Sequence, residues 1–401
     1  MSRVNPGSKA SARLALITMV LSSTALTPIG VAAQEMPTGG QVSAGSAAIQ
    51  GTANGLLIDQ TSHNAIINWS DFSIGAGGSV VFNNGSGATL NRVTGSNISR
   101  INGSLSATGS LYLVNRNGVV IGKDGVISTG GSFIASTLDI RDQDFLDGGD
   151  MTFSGDNSAT VINQGQIGSL GGDVALISRH IVNEGTLEAS GGTVGLAAGR
   201  EVLLRDAALD DGKFLVKVGD ADSSITEAGV IKAANAELRT HGGNIYALAG
   251  NTGGAISVTG SAKSGGRLFL TAGGGTVRVS KPVRATRPAA SGGGTAGRAS
   301  SIVINADIVS IGGLLQASHA DGKGGSIDIG GRDIALKGAE IDVSGASGGG
   351  NIRVGGAWQG GDFGALTIAE TVSLDETTLL TANATQSGDG GEVVVWSDSF
   401  T

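Results

Sequence analysis

The chain has 401 residues, of which 70 are glycine, 5 proline and none cysteine, with 3% aromatics and a formal net charge of −8. Glycine at more than twice its usual share of about 7% excludes an aromatic-packed compact core, and the lack of a three-residue glycine period excludes collagen. Disorder is excluded by 40% hydrophobic residues and a mean hydropathy of +0.15.

At the N-terminus, Arg3, Lys9 and Arg13 precede an apolar run from Leu14 to Leu26, and small residues follow up to Val31-Ala32-Ala33. These are the charged, apolar and cleavage regions of a secretory signal peptide, and the run is shorter than the roughly 20 residues a spanning helix needs. Residues 1–33 are therefore expected to be a signal peptide cleaved after Ala33. Cleavage takes away three basic and no acidic residues, leaving the mature chain at −11. Such an acidic exported protein is not expected to bind nucleic acid. The absence of cysteine in a chain bound for an oxidising compartment fits passage through a narrow pore before folding.

From Gly55 onward the sequence runs in apolar pulses: LLIDQ, AIINWSDFSI, SVVFNN, SLYLVN, GVVIG, VALIS, TVGLAAG and EVLLRD. Each is β-branched or alternating and is closed by glycine or asparagine, and none sustains a helical period, so almost no helix is expected. Residues 161–178, VINQGQIGSLGGDVALIS, are echoed by 181–199, with Asn163 and Asn183, Gly165 and Gly185, and Val174 and Val194 twenty apart. A unit of this length, unable to bury its apolar face alone, is one coil of a parallel β-helix. The unit returns as GGSIDIGG at 324–331, GGNIRVGG at 349–356 and GGEVVVW at 390–396. The expected fold is all-β, a right-handed parallel β-helix (β-solenoid) with short extra-helical loops or hairpins. About 20 residues per coil and about 4.8 Å between strands set an upper bound of some 18 coils over roughly 85 Å, since some stretches do not fit the repeat.

Three stretches break the pattern: the acidic 139–157, then 205–224, and the basic, glycine-rich 281–300. They read as solvated loops leaving the coils. The sequence stops at Trp396-Ser397-Asp398 and the few residues after it, inside a repeat, which leads to the expectation of a truncated product or a fragment.

The blocks INWSDFSIGAGGSVVF (67–82), TLNRVTGSNISRINGSL (89–105), LYLVNRNGVVIG (111–122) and FIASTLDI (133–140) stand in order over some eighty residues. Together they resemble the secretion domain of the filamentous haemagglutinin family, the secreted partners of two-partner secretion systems. The family's signature of Asn-Pro-Asn-Gly and an aliphatic residue stands here as Asn115-Arg116-Asn117-Gly118-Val119. Arg116 in place of proline leaves the turn possible, because Asn117 and Gly118 still supply the side-chain bonding and positive φ it needs.

The resemblance implies a secretion domain over 34–205 and glycine-rich β-helix repeats over 206–401. It implies recognition by an outer-membrane transporter barrel with periplasmic domains, and a final location outside a Gram-negative cell or on its surface, with host or neighbouring cells as further contacts. The residues it points to for recognition are Asn68, Asn91, Arg92, Asn115, Asn117 and Gly118; these asparagines could instead cap turns and stack as internal ladders.

Little else carries chemistry. His63, His180, His241 and His319 are scattered, no HExxH occurs, and without cysteine no metal site and no cofactor are expected. No GxSxG or phosphate loop is present. Asp307, Asp328, Asp333 and Asp342 could pair as the carboxylates of a polysaccharide-active β-helix enzyme, but they alternate with apolar residues as outward positions do. The readings in order are a non-enzymatic adhesin or carrier stalk, an autotransporter passenger, and the sugar-active enzyme.

Overall fold

The computed structural model describes residues 35–209, 212–247, 255–258, 266–286 and 299–400. The expected signal peptide, and 287–298 of the basic stretch, lie outside the described residues.

Each coil contributes one strand to each of three parallel faces, because β-branched pulses a coil apart can pair only with the chain above and below. The first face stacks Gly55–Gln60, Ser79–Asn83, Ser104–Ala107, Val126–Thr129 and Gln166–Ser169, then the starts of Thr186–Ala198 and Val230–His241. It continues through Ala255–Val258, Val283–Ala285, Leu314–Gln316, Glu340–Asp342 and Leu379–Thr381, a dozen rungs among the described residues. The second face begins with Asn64–Trp69, Ala88–Val93, Ser110–Asn115, Phe133–Ser136 and Val174–Ser178. The third begins with Ser99–Ile101, Val119–Ile121, Thr160–Asn163, His180–Asn183 and Ser224–Glu227.

Strand alternation points every second side chain inward, and register stacks them into columns. On the first face Val80, Leu105, Ile127, Ile167, Leu187, Ile231, Ile256, Val283, Leu315 and Ile341 lie in one column, all buried. On the third, Val119, Val161, Ile181, Ile225 and Ile245 do the same. Each such side chain is stabilised by roughly 1.5–3 kcal/mol only when the neighbouring coils cover it, so no coil is stable alone.

The repeats at 324–331, 349–356 and 390–396 do stack in register, Ile327 on Ile352 on Val393. Coil length is not uniform, however. Hydrogen bonds across adjacent coils join residues 20 apart at Asn163 and Asn183, 24 at Asp59 and Asn83, and 32 at Asn235 and Arg267, whose backbone N–H donates to Asn235 Oδ1. The upper bound of about 18 coils is not reached among the described residues, because corners and the insertions between strands absorb the extra residues.

Two further elements cover exposed sheet. Gln41–Ala44 and Ala47–Thr52 pair antiparallel with the first strands of the second and first faces, sealing that end against edge pairing. Asp139–Ile140, Met151–Ser154, Glu201–Leu209 and Gly212–Val218 form a separate four-stranded antiparallel sheet, with the short helix Asp142–Asp147 in its first connection.

This sheet corrects the reading of 139–157 and 205–224 as solvated loops. It packs on the outer side of the second face. There Leu111 and Leu113 point into the coil while Tyr112 and Val114 point out, into a second core with Ile134, Ile177, Phe145, Phe153, Val202 and Phe214. The outward column shrinks from Leu90, Tyr112 and Ile134 through Ala175 to Gly195, where the Phe214 ring occupies the space a Cβ would need. One coil further on, Glu237 ends the apolar column: its carboxylate accepts the Lys213 and Phe214 backbone N–H groups at 2.7 and 3.0 Å.

Candidate recognition site

The turn Asn115–Gly118 joins the second face to the third in the coil built on Ser110–Asn115 and Val119–Ile121. It is closed by the Gly118 N–H donating to the Asn115 carbonyl at 3.0 Å. Asn115 is fully buried; its Nδ2 donates to the Asn97 carbonyl and Ser99 Oγ, both at 2.9 Å, and its Oδ1 accepts the Asn117 N–H at 2.9 Å. Asn117 Nδ2 donates to the Gly95 carbonyl at 2.8 Å. Gly118 takes φ of 127°, a region closed to other residues, with Thr160 of the next coil above it. The turn is thus tied to its neighbouring coils by side-chain bonds, with only Arg116 exposed at its tip.

The other three residues divide by side. Asn91 is buried among the inward positions, accepting from Trp69 Nε1 at 3.0 Å. Arg92, next along, points outward to Asp139 at 2.9 Å, Asp142 at 2.7 Å and the Ile140 carbonyl at 2.7 Å, pinning the first strand of the covering sheet. Partial burial works against its charge, but the hydrogen bonds and attraction of the two aspartates win and hold its pKa above the ordinary value. Asn68 stands in register with Arg92, its Oδ1 buried without a hydrogen-bond partner. Arg92, Asn117 and Arg116 meet along one shallow groove with Gly95, Asp139 and Asn157; Asn91 and Asn115 lie beneath it in the coil.

A polar ladder inside the coils was missed in sequence. Asn163 Nδ2 donates to Asn183 Oδ1 at 2.8 Å, and Asn183 Nδ2 to both oxygens of Glu227 at 3.0 and 2.9 Å. It occupies the column that holds Ile101 and Ile121 in earlier coils. Burial pushes the Glu227 carboxyl up to about 8, against the opposing pull of bonds from Asn183 and the Gly229 backbone. The signal was the Asn163–Asn183 pair itself, but the next rung lies beyond an insertion.

The four aspartates considered for sugar chemistry are held in bonds of the coil surface. Asp328 pairs with Arg353 at 2.6 Å, Asp307 with Arg332 at 3.1 Å, Asp333 accepts from Thr371 Oγ1 at 2.9 Å, and Asp342 accepts the Ser344 N–H at 2.8 Å. Among the described residues no three His, Asp or Glu side chains gather as metal ligands would.

A parallel β-helix sealed at one end, covered on one face by an antiparallel sheet and carrying this clamped turn defines a class of exported β-helical proteins. The chain belongs to the TPS secretion domain family, the export domain of two-partner secretion exoproteins, whose family model matches residues 33–280.

A heme/hemopexin-binding protein of Haemophilus influenzae is 30% identical over 244 residues, covering 58% of this chain and 26% of the relative. A second protein of that name and species is 36% identical over 92 residues, 22% of this chain and 10% of the relative. The crystal structure of the HMW1 secretion domain from Haemophilus influenzae superposes with a TM-score of 0.65 at 27% identity, over 91% of this chain and 95% of that one. The matches with the two curated relatives thus span about a quarter or less of their length.

Proposed function

We propose that this chain is an exoprotein whose first 33 residues direct it to the periplasm and whose residues 34–205 are the address read there. The reader is a cognate outer-membrane barrel with periplasmic recognition domains, which passes the chain outward. The segment from 206 onward, which finishes the covering sheet with Gly212–Val218 and then returns to the coils, serves as an adhesin or carrier stalk at the cell surface, without catalysis. The observation that supports this reading is the Asn115–Gly118 turn, whose side chains are committed to fixing its shape beside an open groove. The binding of heme or hemopexin belongs to the relatives that bear that name, most of whose length lies outside the match.

The test is release of the chain into medium with and without the barrel, alongside Asn115→Ala and Asn117→Ala. Barrel-dependent release lost in both variants supports the reading. Release without the barrel overturns it and favours a self-transporting passenger.

A further inference from the structure

We propose that Arg116 and Arg100 are the specificity-determining contacts of this address, reading an acidic surface on the periplasmic domains of the barrel. The inference rests on the proposed function and assigns the contact to residues other than the buried asparagines. Asn91 and Asn115 are at most 2% exposed and their amides are spent inside the coil, so in the folded domain they can shape the surface but not touch a partner.

Arg116 is the exposed residue of the turn, at the position after its first residue, where proline fits best because its φ is already set. An arginine there gives up that advantage, and the fold gives it nothing in return. Among the described residues Arg92, Arg141, Arg179, Arg200, Arg239, Arg332 and Arg353 face carboxylates. Arg267 and Arg278 lie over aromatic rings, Arg284 bonds Gln316 and Arg205 bonds the Gly212 carbonyl. Of the described arginines, only Arg100 and Arg116 have side chains without such a partner, and both are exposed.

The two belong to adjacent coils, Arg116 at the corner and Arg100 on the third-face strand Ser99–Ile101. Arg100 is in register with Val120, four residues after Arg116, and the Ser99 N–H beside it donates to the Gly118 carbonyl. In a chain of net charge −8, Arg116 on the groove and Arg100 on the adjoining coil are two exposed cations with no carboxylate bonded to them. Such a pair selects an acidic partner surface and speeds encounter with it while the rest of the molecule repels.

The experiment measures association of the full folded chain with the whole barrel in nanodiscs, at low and at raised salt. Arg100→Glu with Arg116→Glu should slow association by about tenfold at low salt and flatten its salt dependence. Arg116→Lys should keep the wild-type rate, and Arg116→Pro should slow association while keeping the thermal melt, since the turn accepts proline. Wild-type rates in the double glutamate variant, or faster ones, overturn the proposal while leaving barrel recognition intact. Failure of the wild-type chain to bind the barrel overturns the proposed function and this inference with it.

Discussion

Glu227 makes the fold's stability depend on pH in an unusual direction. Its carboxyl is buried at the end of the Asn163–Asn183 ladder and titrates at about 8 instead of its ordinary 4.5. A carboxyl raised on folding contributes its full stability below the unfolded value and loses it as pH rises through the folded one. Between pH 4.5 and 8 the folded state therefore gives up about 5 kcal/mol at this residue, some 3 kcal/mol of it by pH 7. Glu227→Gln keeps the shape and an acceptor for the Asn183 amide but removes the titration. Urea unfolding of both proteins from pH 5 to 9 reads the difference. The midpoints should nearly coincide at pH 5, and the variant should be progressively more stable toward pH 9. Parallel curves across that range would show that Glu227 is not buried as a neutral acid, and the reasoning would fail.

Gly195→Val places a side chain where the Phe214 ring sits, costing about 1–3 kcal/mol and freeing Gly212–Val218 from the second face. Limited proteolysis should then cut within that strand while the coils resist. Asn115→Ala leaves the Asn117 N–H and the Asn97 carbonyl without their partner and should lower stability by about 1–3 kcal/mol, read by thermal melting. Arg92→Ala removes the pin on Asp139 and Asp142, and hydrogen exchange at Ile140 and Phe145 should quicken while Ile127 stays protected. Ile162→Cys with Val182→Cys joins neighbouring outward positions on adjacent coils, at a strand spacing of about 4.8 Å that a disulfide can span. Oxidised chains should be retained in the periplasm and released on adding reductant; release under oxidising conditions would argue against unfolded passage.

Local repetition made the coil legible in sequence. Asn163 and Asn183, or Ile327 and Ile352, announce their stacking because adjacent rungs repeat both their glycine corners and their inward residues. The covering sheet was not legible. Its central pairing sets Phe153 against Val202, strands that repeat nothing, and acidic residues such as Asp142 and Asp144 gave the first insertion the look of a solvated loop. A clue existed in SLYLVN and VALIS, unbroken apolar runs that need cover on both sides rather than one. At the recognition turn the motif located Asn115, Asn117 and Gly118, but alternation alone does not show that Asn91 faces in while Arg92 faces out to Asp139.

The covering sheet also sets a clock. Lys217 Nζ reaches Thr152 Oγ1 across 65 residues of chain, so the sheet is a long-range closure laid over locally formed coils. A chain that becomes available from its N-terminus builds the rungs up to Val174–Ser178 with Ile134, Phe153 and Ala175 still lacking the cover of Val202 and Phe214. That surface stays adhesive until Gly212–Val218 arrives to finish the sheet. Conditions that slow the arrival of residues near 218 lengthen this sticky interval, whereas slowing any later coil leaves an already closed domain behind it.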